Sequence, residues 1–186
     1  MQKIIFIVYI FFLLPYSTTM ANEEASYDVV HKTDIYEVRY YSDRLVAQVT
    51  NKGDNNSFRK LFNYISGENK NSEKIAMTIP VTQTKKDGEL FMQFYLPSKF
   101  NKETTPIPTN PDLEITTIPE GYFAVIKFSG RSSDKNFEKH NKILKQKLLE
   151  DKIPINGFAV RATYNSPFTL PPLRRNEAMF SIDWKS

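Results

Sequence analysis

Lys74 to Thr82 reads KIAMTIPVT, and the reading of this stretch decides the fold. Ile75, Met77, Ile79 and Val81 alternate with small or polar residues and Pro80, the period of a strand with one buried face. Pro80 has no N–H for a ladder, so the strand lies on an edge or carries a bulge at that point. Beyond it, Lys85-Lys86-Asp87-Gly88 forms a hairpin turn into Leu90–Leu96. There Met92, Phe94 and Leu96 oppose Phe91, Gln93 and Tyr95. A strand with large apolar groups on both faces lies between two layers, or between a layer and a ligand.

Upstream, Phe58, Leu61, Phe62 and Ile65 recur at helical spacing, with Ser57 as cap and Gly67 as stop. Before that helix, Ile35–Tyr40 and Leu45–Thr50 both alternate, and Ser42-Asp43 turns one into the other, which reads as a hairpin. Downstream, a proline-containing connection from Lys99 to Asp112 ends the first set, and the order then repeats. Leu113–Thr117 is a strand, Pro119-Glu120-Gly121 a turn, and Tyr122–Phe128 a strand. Ser132 or Ser133 caps a longer helix, striped by Phe137, Asn141, Leu144 and Leu148 with Ile143 beside them, that ends near Asp151. Phe158–Tyr164 and Ala178–Trp184 are the last strands, joined by the proline-rich Ser166–Pro172. Strand, strand, helix, strand, strand thus occurs twice, with no visible repeat of residues. The fold class is α+β: a distorted eight-stranded antiparallel barrel of two similar halves, flanked by two helices. Its cleft between sheet and helices is a usual place for a small ligand.

The first residues have another character. Lys3 precedes the apolar run Ile4–Leu14, then come a proline, small hydroxyl residues and Thr19-Met20-Ala21 before the acidic Asn22-Glu23-Glu24. That order is a signal peptide over residues 1–21, followed by a single domain over residues 22–186. The run is shorter than the ~20 residues that span hydrocarbon, so no stable membrane insertion is expected after cleavage. Export places the protein in the periplasm if the host has an outer membrane, and outside the cell otherwise. The chain has no Cys, which excludes disulfides, thiolate metal sites, c-type haem attachment and thiol catalysis. Its 2 His lie far apart, and the net charge of +4 comes from interspersed, not clustered, cations. A nucleic-acid partner needs a basic patch, so none is expected. A monomer is expected. With 10 Tyr and 14 Phe, large rings suit a β-rich core or a ring-lined pocket. No Gly-rich phosphate loop, Ser-His-Asp set or paired-carboxylate arrangement is recognisable, so the chain is read as non-enzymatic.

Several segments resemble the haem-binding SOUL family, in its bacterial, exported form. They are Tyr36–Tyr41, Phe58 with Leu61–Gly67, Lys74–Val81, Met92–Pro97, Phe128-Ser129-Gly130, Ala162–Phe168 and Arg174-Arg175-Asn176-Glu177. They follow the family's order from about residue 27 to 184. The resemblance implies the two-halved barrel already derived, an architecture shared with effector-binding domains of certain bacterial regulators. It also implies non-covalent binding of haem or a related tetrapyrrole in a hydrophobic groove with a basic rim. Alternatives are a binding module for another hydrophobic small molecule, or an interaction role without ligand. Some domains of this broader architecture hydrolyse small reactive compounds, for which Glu37 is the nearest acid.

On that resemblance the groove is assigned Phe58, Phe62, Met77 and Met92 as apolar wall and Arg39, Arg174 and Arg175 as cations. Where one family member has a proposed iron-coordinating histidine, in an Arg-His-Tyr triplet, this chain has Arg39-Tyr40-Tyr41. Tyr40 is therefore the candidate metal ligand, since a phenolate can bind ferric haem and a nearby cation favours its ionised form. The strand alternation instead groups Tyr40 with Tyr36 and Val38, as a core or pocket-wall tyrosine. His140, beside the stripe of the second helix, is a candidate if that helix flanks the groove; His31 is expected to be solvated. Met77, Met92 and Met179 suit core packing or an axial thioether. Arg174 and Arg175 either clamp propionates or pair with Glu177, and neighbouring strand residues face opposite ways, so only one can reach a given site. Lys60 and Lys127 would serve a propionate equally well.

Overall fold

A computed structural model describes residues 22–51 and 56–185, so the signal peptide assigned to residues 1–21 lies outside the described residues. In chain order the elements are β1 (Glu23–Glu24), β2 (Asp28–Lys32), β3 (Glu37–Tyr41), β4 (Arg44–Asn51) and α1 (Ser57–Ile65). Next come β5 (Thr78–Ile79), β6 (Val81–Lys86), β7 (Glu89–Tyr95), β8 (Leu113–Ile118) and β9 (Gly121–Phe128). They end with α2 (Asp134–Glu150), β10 (Val160–Thr163) and β11 (Asn176–Ile182).

One antiparallel sheet runs β2-β3-β9-β11-β10-β6-β7-β4-β8. Matching β3, β4, β6 and β7 to β8, β9, β10 and β11 turns the inner eight-strand order into its own reverse. The two halves are therefore related by a pseudo-two-fold axis between β6 and β10, where Thr82 faces Ala162 and Gln83 faces Arg161. The α+β architecture of two halves and two helices is present as an open, distorted half-barrel. The ninth strand is β2, laid against β3 through an irregular register between Val29 and His31.

The same topology corrects the first hairpin. β3 and β4 are consecutive but do not pair: β3 lies between β2 and β9, and β4 between β7 and β8. Ser42-Asp43 carries the chain from one half to the other. Each half thus completes its sheet with a strand from the opposite half. The Lys85–Gly88 hairpin does form, with Asp87 and Gly88 both at positive φ, as a two-residue turn between twisted strands requires. Pro80 divides the predicted Lys74–Thr82 strand: β5 pairs with β1, and β6 enters the main sheet. The final strand starts two residues earlier than its alternation suggests, at Asn176.

Side-chain alternation gives the sheet two faces. On one face α2 packs Phe137, Leu144 and Leu148 against Tyr36, Val38, Ala124, Ala178 and Phe180. On the same face α1 packs Leu61, Tyr64 and Ile65 against Ala47, Val49, Phe94 and Leu113. The capping position of α1 is Asn56, and Ser57 is already helical. Gly67 ends α1 at φ 115°, its N–H on the Tyr64 carbonyl and that of Glu68 on the Asn63 carbonyl, the double closure that glycine permits. Ser133 caps α2, its hydroxyl accepting from the Asn136 N–H at 3.3 Å. Among the described residues, no helix is long and apolar enough to cross a membrane.

Candidate functional site

The helix-covered face is not fully covered. α1 and α2 sit over opposite halves, and between them the sheet is open along the β6–β10 seam. Two hollows of about 700 and 770 Å³ lie there and share Gln83 and Arg161, the cross-strand pair at the pseudo-axis. Each is within the ~300–1,000 Å³ usual for small-molecule sites.

The hollow beside α1 is the more apolar. Its helical wall is Phe58 and Phe62, 48% and 50% exposed, with rings 6.2 Å apart and 12° from parallel. Both stand one turn apart, on the face that α1 turns away from the core. Tyr64, with Leu61 and Ile65, fills the core, its hydroxyl donating to the Pro106 carbonyl at 2.8 Å. The floor is Met77, Ile79, Val81 and Met92 from β5, β6, β7 and the segment before them. The far rim carries Arg161 and Arg174, and among the described residues no acidic side chain lines this hollow. Arg161 is held by Asp134 at 2.7 Å and lies 4.6 Å from the Phe137 ring centroid. Arg174 donates through Nε to the Thr169 carbonyl at 2.7 Å and through Nη2 to the Pro167 carbonyl, which ties the proline loop to the rim. A flat apolar body with anionic substituents fits this arrangement.

Of the sequence-assigned residues, Phe58, Phe62, Met77, Met92 and Arg174 come together here. Arg39, Tyr40, His140 and Arg175 do not line it. The Tyr40 hydroxyl donates to Glu120 at 2.6 Å and its ring packs 5.2 Å from that of Tyr122. The hydrogen bond to Glu120 raises the Tyr40 pKa, which works against a phenolate. His140 stacks on Phe128 with centroids 4.1 Å apart, its Nδ1 2.8 Å from the Asn136 carbonyl oxygen of the preceding turn. His31 packs against Trp184 at 5.1 Å. Lys60 is 2.9 Å from Asp112, and Lys127 binds Glu37.

Arg39 and Arg175 belong to an ionic cluster on the opposite face of the sheet. Arg39, fully buried, donates to both oxygens of Glu177 at 3.0 Å each, and to Glu37 at 2.9 and 3.1 Å. Glu177 also accepts from the Tyr164 hydroxyl at 2.7 Å and Arg175 Nε at 3.0 Å. Arg175 reaches on to Glu24 at 2.8 Å and lies over the Tyr164 ring. Burial, and then the charge of Glu177, push the Tyr164 phenol far up. Glu37 is no proton donor. Desolvation would raise its pKa, but hydrogen bonds from Arg39 and Lys127 more than offset that and hold it below the ordinary carboxylate value. Among the described residues no cluster of three or more His, Cys, Asp or Glu could hold a metal ion.

Arg161 is the groove residue that sequence reasoning did not single out. Its signal is alternation: Ala162 points to the opposite face, so Arg161 must face the helices.

Comparison with known proteins places this geometry among relatives. The SOUL heme-binding protein family model matches residues 22–181. Heme-binding protein 2 of Homo sapiens is 30% identical over 161 residues, covering 79% of this chain and 77% of that one. The EcmrR C-terminal domain is similar in fold, with a TM-score of 0.60 at 11% identity, over 80% of this chain and 96% of that one. A hydrolase from Listeria innocua gives 0.58 at 10% identity, over 83% and 94%.

Proposed function

The chain belongs to the SOUL heme-binding protein family, and we propose that it binds haem or a related tetrapyrrole, without catalysis, in the groove between α1 and the β6–β10 seam. The observation that carries this reading is the stacked, half-exposed Phe58–Phe62 pair facing a methionine and branched-chain floor, with two arginines on its rim, one of them paired with Asp134. Exposed aromatic surface of this kind gains from burial against a flat apolar ligand. Arg161 and Arg174 would hold propionates, and Met77 and Met92 would pack against the macrocycle. When bound, the haem supplies an iron centre; the chain's own part is to bind, orient and shield it.

Tyr40 has no place in this reading, because Glu120 engages it away from the groove. A haem titration followed by visible absorbance tests the point. Saturation at roughly one equivalent is expected, with an unchanged spectrum in Tyr40→Phe and in His140→Ala. Loss of the bound-haem band in either variant would move the site out of the groove. A second reading, another flat hydrophobic anion, is favoured by the donors in the groove: Tyr164, the one tyrosine lining it among the described residues, is held protonated against Glu177. Tighter binding of a flat apolar carboxylate that is not a tetrapyrrole, such as pyrenebutyrate, than of either haem or a non-metallated porphyrin would select it.

The apolar leader Ile4–Leu14 and the small residues before Asn22 support export in a bacterial-type host. N-terminal sequencing of protein recovered from that host should start at or near Asn22; a retained Met1 would sink export by cleavage. This reading uses one chain and no nucleic acid.

A further inference from the structure

The face of the sheet opposite the groove holds a third hollow, of about 160 Å³, between strands of both halves. Its apolar wall is Ile118, Phe123, Val160 and Met179; its polar side is Arg44, Thr84, Gln93 and Tyr95. Arg44 opens β4 and is only 8% exposed. Its guanidinium lies 4.2 Å from the Tyr41 ring centroid, 4.7 Å from that of Phe123 and 5.9 Å from that of Tyr95. Ring faces attract a cation but accept none of its in-plane hydrogen bonds. Both Nε and Nη2 of Arg44 are buried without a hydrogen-bond partner.

A buried guanidinium with one edge unanswered contrasts with its neighbours: Arg39 and Arg175 share Glu177, with Glu37 and Glu24 outside. The acids on the outer side of Arg44 are engaged elsewhere. Glu23 accepts from the Ser98 N–H, Glu24 pairs with Arg175, and Asp43 accepts from the Glu120 N–H. Gln93 is bound to Gln48 and Thr82. Nε–H and Nη2–H of one arginine form the fork that a carboxylate meets with both oxygens. The hollow is close to the ~150 Å³ apolar cavity that holds a benzene ring.

We propose that this hollow is a second binding site, for a small carboxylate with an apolar body. The carboxylate takes the Nε–Nη2 edge of Arg44, and the body fills the space between Phe123, Ile118, Val160 and Met179. The site is separate from the tetrapyrrole groove, because its lining side chains leave the other face of the sheet.

Benzoate is the probe and benzamide its uncharged counterpart. Titrating the purified protein with benzoate should move the Met179 methyl NMR resonance saturably, while that of Met92 stays put. Benzamide should produce no saturable shift. Arg44→Met should weaken benzoate binding roughly tenfold or more, and so should Arg44→Lys, which keeps the charge but loses the fork. Near-UV circular dichroism shows which variant is folded, and either one suffices. An unmoved Met179 resonance, an equal response to benzamide, or unchanged affinity in a folded Arg44 variant overturns the proposal. Haem binding is unaffected by Arg44→Met in either case, so failure here leaves the groove reading intact.

Discussion

Glu177→Gln is expected to lower the free energy of unfolding by about 3 kcal/mol, the lower end of the range for breaking a buried ion pair. Glu177 is fully buried and carries the negative charge that Arg39 and Arg175 share. The amide keeps its size but offers one acceptor oxygen in place of two, and it neutralises nothing. Arg39 retains Glu37 on one edge and Arg175 retains Glu24, which is why the cost stays at the lower end. The Tyr164 hydroxyl also loses a charged acceptor. Replacing the pair together, as Arg39→Met with Glu177→Leu, should cost less than Glu177→Gln alone, since no uncompensated charge then remains on that axis. Urea unfolding monitored at equilibrium reads both. A loss under about 1 kcal/mol for Glu177→Gln would mean that water reaches Arg39 and that the cluster is not the dry core described here.

That cluster shows what was legible in the sequence and what was not. Arg174-Arg175-Asn176-Glu177 allowed both a ligand clamp and a structural pair, and strand alternation says that the two arginines diverge. They do: Arg174 faces the groove rim and Arg175 the buried acid. Alternation could not say which goes where, because that depends on the register of β11 against β9 and β10, a long-range fact. The same limit explains the first hairpin. The period of two identifies β3 and β4 as strands, but pairing is set by tertiary packing, and a two-residue link serves a crossing between halves as well as a hairpin. Signals confined to a few residues survived: Asp87-Gly88 at positive φ, Ser133 capping α2 and Pro80 interrupting its strand. In α1 the apolar positions outnumber what one face can bury. Spacing grouped Phe58 and Phe62 with Leu61 and Ile65, whereas the core takes Leu61, Tyr64 and Ile65 and leaves the two rings at the groove.

Those two rings carry the second large effect. Phe58→Ala with Phe62→Ala is expected to weaken haem binding roughly 30-fold, the equivalent of about 2 kcal/mol. A large ring buries ~150–250 Å², about half of each remains exposed here, and a ligand on one side covers roughly half of that. At about 25 cal/mol per Å² the gain is about 1 kcal/mol per ring. The fold should lose less than the ligand does, because the pair contributes to the core mainly through the edge contact of Phe58 with Phe94, centroids 5.3 Å apart. Leu149→Ala provides the comparison: Leu149 is 72% exposed on α2 and lies outside the groove lining. If haem merely adheres to exposed apolar surface, both changes weaken it to the same small extent. If the groove is the site, the double variant loses affinity and Leu149→Ala does not. A double variant that binds as tightly as the parent would remove Phe58 and Phe62 from the site, and with them the α1 side of the groove as the place where the ring docks.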